Sequence, residues 1–412
     1  MIRWIDDKLG TAAFEDPATD GYAKLDVRGL VDGPANKPDA LVERIETGLA
    51  MLAESGQLIV CCEFGISRSN TIASAILARR DGLPFDEAAA RVRQQVGELR
   101  MDYGFVQTVR NTIEPDPLPP LNPRRVIVTG GTGFLGKWLE RIAGDSLELV
   151  LLGSKDIDIA ASPFELDAAV RKHRPATIIH LATPRVRHTH EVVGQSVAML
   201  RNVADVCGQH DIFLVYASSC VVFSGRKNEG EHTAGDDEIP QPYGNYAMAK
   251  ALCEQMVGYL RQGGKLRSSM LRLTHIYGPG STLPPFLFRT AENSRAGKPL
   301  VTHRYRNGRP KLQFLHVRDA ALALLAAAER RIEGTFNIGG TEALSTRDLV
   351  KLIAEVLDSP SESQEVELEA AVANVVLDIS KAREQLGWSP SIGLREGFTD
   401  LFVTSPASIT LS

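Results

Sequence analysis

Three glycines, Gly130-x-x-Gly133-x-x-Gly136, sit between an apolar run, Arg125–Val128, and an amphipathic run opening at Gly136-Lys137-Trp138-Leu139. Glycine at this spacing allows a sharp strand-to-helix turn, close approach of an anion to the backbone, and tight packing of helix on strand. Such a turn belongs at the C-terminal edge of a parallel sheet, and the flanking sequence agrees. Short apolar runs at Leu149–Leu152, Thr177–Leu181 and Phe213–Tyr216 alternate with helix-period stretches at Phe164–Lys172 and Val192–Cys207. The pattern predicts an α/β fold over 124–412: a Rossmann-type doubly wound parallel sheet with a smaller C-terminal substrate-binding part.

A chain of 412 residues is long for one core, which points to more than one domain. Glu114-Pro115-Asp116-Pro117-Leu118-Pro119-Pro120-Leu121-Asn122-Pro123 reads as a stiff spacer. Proline fixes φ and lacks the amide donor, so neither a helix nor an inner strand is expected there. Residues 1–113 then form one domain and 124–412 another. A net charge of -5 leaves no basic footprint for nucleic acid. No apolar run approaches the roughly 20 residues that cross a bilayer. Five unpatterned cysteines and an early acidic N-terminus fit a cytoplasmic chain.

In the first domain Gln57–Cys62 has the character of a short buried strand, and Asn70–Arg80 has helical spacing. Pro84-Phe85-Asp86-Glu87 opens a further helix, with acids in its first turn where the helix dipole favours them. Between strand and helix lies Cys62-Glu63-Phe64-Gly65-Ile66-Ser67-Arg68-Ser69. The backbone N–H groups of residues 63–68 and the dipole of the following helix can converge on one anion. Arg68 can bind two oxygens of a phosphoryl group, and Ser69 can donate to the sulfur of Cys62 as it leaves. This stretch resembles the dual-specificity (tyrosine-type) phosphatase family from about Asp32 to Arg110. The resemblance implies a cysteine-phosphatase α/β domain with Cys62 as nucleophile. It also implies an aspartate on a loop about thirty residues earlier as the acid: Asp32, with Asp26 and Asp39 as rivals. Cys61 stands where that family usually has histidine, and Glu63 places an acid inside the loop.

In the second domain Tyr246-Ala247-Met248-Ala249-Lys250 sets a phenol one helical turn before an ammonium. A phenol, with its usual pKa of ~10, serves as base only when a nearby positive charge favours the phenolate. Ser219 or Ser218, at the end of a strand, can hydrogen-bond a substrate oxygen. With the glycine turn, these residues resemble the extended short-chain dehydrogenase/reductases, the sugar-nucleotide epimerases and reductases. Leu271–Gly280, Phe314–Asp319, Phe336–Gly340 and Leu386–Pro390 extend the match. The resemblance implies Ser219, Tyr246 and Lys250 as catalytic residues. It implies NAD or NADP held by Gly130, Gly133 and Gly136, with Phe134, Leu135, Leu181 and Ala182 beside them, and homodimerisation through two helices.

NAD usually calls for an acid at the end of the second strand. Here Ser154-Lys155 follows that strand, which tilts the expectation towards NADP. Asp158 matches an aspartate that lies near adenine in the dTDP-4-dehydrorhamnose reductases. Leu312-Gln313 replaces an arginine that commonly clamps the substrate diphosphate, and His275 replaces an asparagine of the substrate wall. Arg309 and Lys311 are the nearest substitutes, and the expected substrate is a phosphorylated sugar or cyclitol. His188-Thr189-His190 has no third ligand nearby, so a metal site is not expected.

Overall fold

The computed structural model describes residues 1–96, 101–115, 118–186, 189–227, 230–281 and 284–404. The chain divides into two compact units, Met1–Pro119 with Ala161–Phe164, and Pro120–Ala160 with Glu165–Ser412. Asp116, Pro117 and His188 of the segments singled out above lie outside the described residues.

The first unit is built on a four-stranded sheet of β1 (Arg3–Trp4), β2 (Leu9–Ala13), β3 (Ala23–Asp26) and β4 (Leu58–Cys62), in the order β1-β2-β4-β3. β2 and β3 both run parallel to β4, and β1 is antiparallel to β2. Its helices are α1 (Pro38–Ser55), α2 (Arg68–Asp81), α3 (Phe85–Val96) and α4 (Tyr103–Ile113). Every residue of β4 is buried, as expected of a central strand whose side chains on both faces meet other elements. α2 is buried along most of its length, from Ser69 to Ala78, so the loop between β4 and α2 springs from two core elements.

The second unit carries β5 (Asn122–Thr129), α5 (Phe134–Ile142), β6 (Glu148–Leu152), α6 (Phe164–His173), β7 (Pro175–His180), α7 (Glu191–His210) and β8 (Phe213–Ser219). β9 (His232–Ala234), α8 (Asn245–Gln262), β10 (Ser268–Leu273), β11 (His275–Tyr277), α9 (Pro285–Arg295), β12 (Leu300–Tyr305), β13 (Lys311–His316), α10 (Val317–Arg330) and β14 (Gly334–Ile338) follow. Six strands form one sheet, β14-β10-β8-β7-β5-β6, in which every neighbouring pair is parallel. Val126 and Val128 of β5 pack with Leu139 of α5 and Leu324 of α10, while the alternate Ile127 is equally buried on the opposite face. Both faces of the sheet are therefore covered, which is why its strands read as continuous apolar runs. A separate core joins Tyr277, Phe288, Phe314, Leu349, Phe398 and Phe402 in the C-terminal part. Among the described residues no helix is long and apolar enough to cross a membrane.

The structure corrects one expectation about the spacer. Asn122 and Pro123 belong to β5, an inner strand flanked by β6 and β7. The pairing of β5 with β7 shifts register between Asn122 and Val126, and Pro123 falls in that irregular stretch, where its missing donor breaks no ladder bond. α5 also begins at Phe134, two residues before the predicted start, because Gly133 already serves as its N-cap.

Candidate functional site

The strand order places the site of the second unit. From β5 the chain crosses to β6 on one side, and then to β7 on the other, which opens a crevice at the C-terminal ends of these strands. A cavity of about 690 Å³ lies there. It is lined by the turn residues Gly130, Gly133, Phe134, Leu135 and Gly136, by Ser154 and Asp158 after β6, and by Leu181 and Ala182 after β7. Ser218, Ser219, Tyr246, Lys250 and His275 line the same cavity. The glycine turn is as tight as its sequence required: a Cβ on Gly136 would stand 2.1 Å from the carbonyl oxygen of Gly131. Gly133 caps α5 without a side-chain bond, so the first N–H groups of that helix are left to an anion. Thr274 Oγ1 is buried in the cavity wall without a hydrogen-bond partner, an orphan that a ligand would satisfy. These features fit a dinucleotide.

Tyr246, Lys250 and Glu254 stand at successive turns of α8, so all three meet the end of β8. The Lys250 ammonium donates to the carbonyl of Ala217 at 2.7 Å and lies 5.8 Å from the centre of the Tyr246 ring. Ser218 donates to Glu254 Oε1 at 2.6 Å, and Arg272 grips the same carboxylate through Nε and Nη2. That network occupies Ser218. Ser219, less buried, is the hydroxyl left at the mouth of the strand. Beneath the lysine, burial and then the Lys250 charge push His180 down to about 3, so its imidazole is neutral, 2.7 Å from Thr129 Oγ1. Burial pushes the Cys220 thiol up to about 12, with the Ser219 hydroxyl pulling weakly the other way. It is neutral.

Two expected residues are not brought to the cavity. Lys155 is absent from its described lining. Arg309 is held by Glu365 through two bonds of 2.6 Å, because β12 pairs with β16 (Ser363–Leu368) and sets the two side chains within reach. Gln313, at the position where the resemblance implies a clamping arginine, is buried and spent on Gly340 and Leu377. Thr274, inside the matched Leu271–Gly280 stretch, also lines the cavity, and so do Arg185, Thr183 and Met199, which the sequence does not mark. Only the crossing of the chain delivers these three.

In the first unit Cys62 ends β4 and Arg68 opens α2. Burial raises the Cys62 thiol pKa, but the Ser69 hydroxyl and the backbone N–H groups of Ser69, Ile66 and Phe64 outweigh it, and the net shift is downward. The sulfur lies 3.4 Å from Ser69 Oγ. Gly65 holds φ at +68° against β2, where a Cβ would meet the Ala12 carbonyl carbon at 2.3 Å. Ser67 donates to Asp32 Oδ1 at 2.5 Å, and Asp32 Oδ2 is 3.9 Å from Arg68 Nε. Arg68 Nη1 also donates to the carbonyls of Arg28 and Leu30. Of the three acids considered, Asp32 is therefore the one bonded to the loop. Asp26 is held ionised by Arg28, chiefly through their side-chain bond. Asp39 sits in the first turn of α1. Cys61, on the other face of β4, is pushed up to about 11 by burial.

The NAD dependent epimerase/dehydratase family model matches residues 126–339. The chain belongs to that family. Its cofactor is NAD or NADP. An uncharacterised UDP-glucose epimerase of Bacillus subtilis is 24% identical over 311 residues, covering 67% of this chain and 96% of the relative. The dTDP-6-deoxy-L-talose 4-dehydrogenase of Kitasatospora kifunensis is 26% identical over 307 residues, covering 69% and 96%. Among solved structures, the UDP-glucose 4-epimerase of Thermus thermophilus in complex with NAD superposes with a TM-score of 0.57 at 24% identity, over 67% of this chain and 97% of that one. The family match lies wholly downstream of the proline-rich segment.

Proposed function

We propose that the second unit is an epimerase or reductase of a sugar carried as a nucleotide-sugar or sugar phosphate, with Ser219, Tyr246 and Lys250 as its catalytic residues. The observation that carries this reading is one cavity lined by those three side chains and by the uncapped glycine turn. When bound, the nicotinamide ring supplies the hydride acceptor or donor. Tyr246 takes the proton of the sugar hydroxyl as that carbon is oxidised, or returns it on reduction. Lys250, fixed by the Ala217 carbonyl, holds positive charge beside the phenolate, and Ser219 hydrogen-bonds the reacting oxygen. Relatives named for UDP-glucose and dTDP-sugars give the first compounds to assay. Incubating the protein with these and with sugar monophosphates should yield an isomerised or reduced sugar. Product analysis that finds neither, with the cofactor bound, rules the reading out.

For the first unit the reading is a cysteine-dependent phosphatase of a small phosphorylated metabolite. It is supported by the lowered Cys62 thiol among converging N–H donors and by Asp32 bonded to the loop. Cys62 would attack phosphorus, Arg68 and the loop amides would hold the equatorial oxygens, and Asp32 would protonate the departing alcohol. A phosphate-holding or protein-binding module without turnover is the rival. It is favoured by Glu63 inside the loop and by the two backbone carbonyls that already engage Arg68. Hydrolysis of para-nitrophenyl phosphate by the wild type, lost in Cys62→Ser, selects the phosphatase; phosphate binding without hydrolysis selects the module.

A further inference from the structure

The adenosine end of the cavity carries a contact that the local sequence does not suggest. Ser154 follows β6, the edge strand, whereas Arg185 follows β7, two strands away across β5. The Arg185 guanidinium nevertheless donates to Ser154 Oγ at 2.9 Å. It therefore reaches over the glycine turn that follows β5, and both residues line the cavity. Ser154 stands just past the second strand of the βαβ unit, where a dinucleotide-binding fold meets the adenosine ribose.

Charge decides what that position accepts. A ribose bearing a free 2′-hydroxyl is normally held there by a carboxylate, which accepts its proton. The two acids that follow β6 are otherwise engaged. Asp156 Oδ2 accepts the Gly153 N–H at 2.7 Å, and Asp158 Oδ1 accepts the Ala160 N–H at 3.1 Å. Among the described residues that line the cavity, the cations are Lys250 and Arg185. Lys250 is tied to Ala217 at the far end. What remains beside Ser154 is a planar guanidinium and a hydroxyl, a donor set suited to a phosphate dianion.

We propose that Arg185, with Ser154, recognises the 2′-phosphate of NADP and makes this chain selective for NADP over NAD. The inference rests on reading the cavity as the dinucleotide site. Lys155, the nearer candidate by sequence, has no part in it.

Isothermal titration of the full chain, freed of nucleotide, with NADP⁺, NAD⁺ and adenosine 2′,5′-bisphosphate tests this. Wild type should prefer NADP⁺, and adenosine 2′,5′-bisphosphate should bind more tightly than adenosine 5′-monophosphate. Arg185→Ala should lower the NADP⁺ to NAD⁺ affinity ratio about 10- to 100-fold, the scale of a charge-assisted pair. Arg185→Lys should restore part of it, and Lys155→Ala should move the ratio less than about 3-fold. An unchanged ratio in Arg185→Ala, or a wild type that prefers NAD⁺, overturns the proposal while leaving the dinucleotide site intact. Binding of neither dinucleotide would overturn the underlying reading as well. Melting curves of each variant separate loss of fold from loss of recognition.

Discussion

The loop at 62–69 and the turn at 130–136 answer the same local problem in two ways. Each follows the buried end of a parallel strand and opens a helix that lacks a side-chain cap, so each gathers backbone N–H groups suited to an anion. In the first loop the group in reach is a side chain of the protein itself: the donors converge on the Cys62 sulfur and lower its pKa. In the second the turn presents glycine and apolar residues with Thr132 to the cavity, and the groups proposed to react sit on β8 and α8. One geometry lowers the pKa of a thiol; the other lines a cavity that fits a dinucleotide. The difference teaches that a helix N-terminus after a strand does not specify a chemistry. The side chains that the fold brings to it do.

That contrast can be broken by removing the reactive group from each side. Cys62→Ser should lower aryl-phosphate hydrolysis at least about 10³-fold, as expected when a covalent nucleophile is replaced by a far weaker one. Tyr246→Phe should lower sugar turnover about 10²- to 10⁴-fold with cofactor affinity retained, read by product analysis beside dinucleotide titration. If either substitution abolishes both activities in a folded protein, the two loops do not serve separate reactions.

The turns themselves differ in tolerance. Gly65→Ala places a methyl against the Ala12 backbone at a φ of +68°, and should cost about 2–4 kcal/mol, visible as a lower Tm. Gly133→Ala meets only the Gly130 carbonyl oxygen, at 3.2 Å, so it should cost less than about 1 kcal/mol and appear mainly as weaker dinucleotide binding. Equal destabilisation by both would show that the loops are under the same constraint.

The smallest effect concerns pH. The folded Cys62 pKa lies below that of the unfolded thiol, so its stabilising share is complete above the ordinary thiol range and is lost as pH falls through the folded value. Ser69→Ala removes one donor to the sulfur. The midpoint of Cys62 alkylation by iodoacetamide should then move to higher pH, with the melting temperature little changed. A midpoint that stays in place would mean that the loop amides alone set the thiolate.

Much of the site was legible because its motifs are covalently local. Strand, glycine turn and helix are neighbours in the chain, and so are Tyr246 and Lys250 on one helix face; spacing along the sequence fixes their spacing in space. The choice between Ser218 and Ser219 was not legible. It depends on Glu254 and Arg272, which α8 and β10 bring to the end of β8 and which occupy the first serine. Arg309 misled for the same reason, since its partner Glu365 stands on β16, which pairs with β12, the strand just before Arg309, only in the folded chain. Pro123 misled differently, because an irregular register spares it the bond it cannot make.

By itself the sequence determined two α/β patterns, two anion-ready turns, a thiol in one and a phenol–ammonium pair beside the other. Tertiary structure alone decided which side chains far apart in the chain meet: Arg185 with Ser154 and Glu254 with Ser218 at the cavity, Arg309 with Glu365 away from it. The physical reason is the crossover connection. It lays strands side by side in an order unlike that of the chain, so residues far apart along it share one cavity wall.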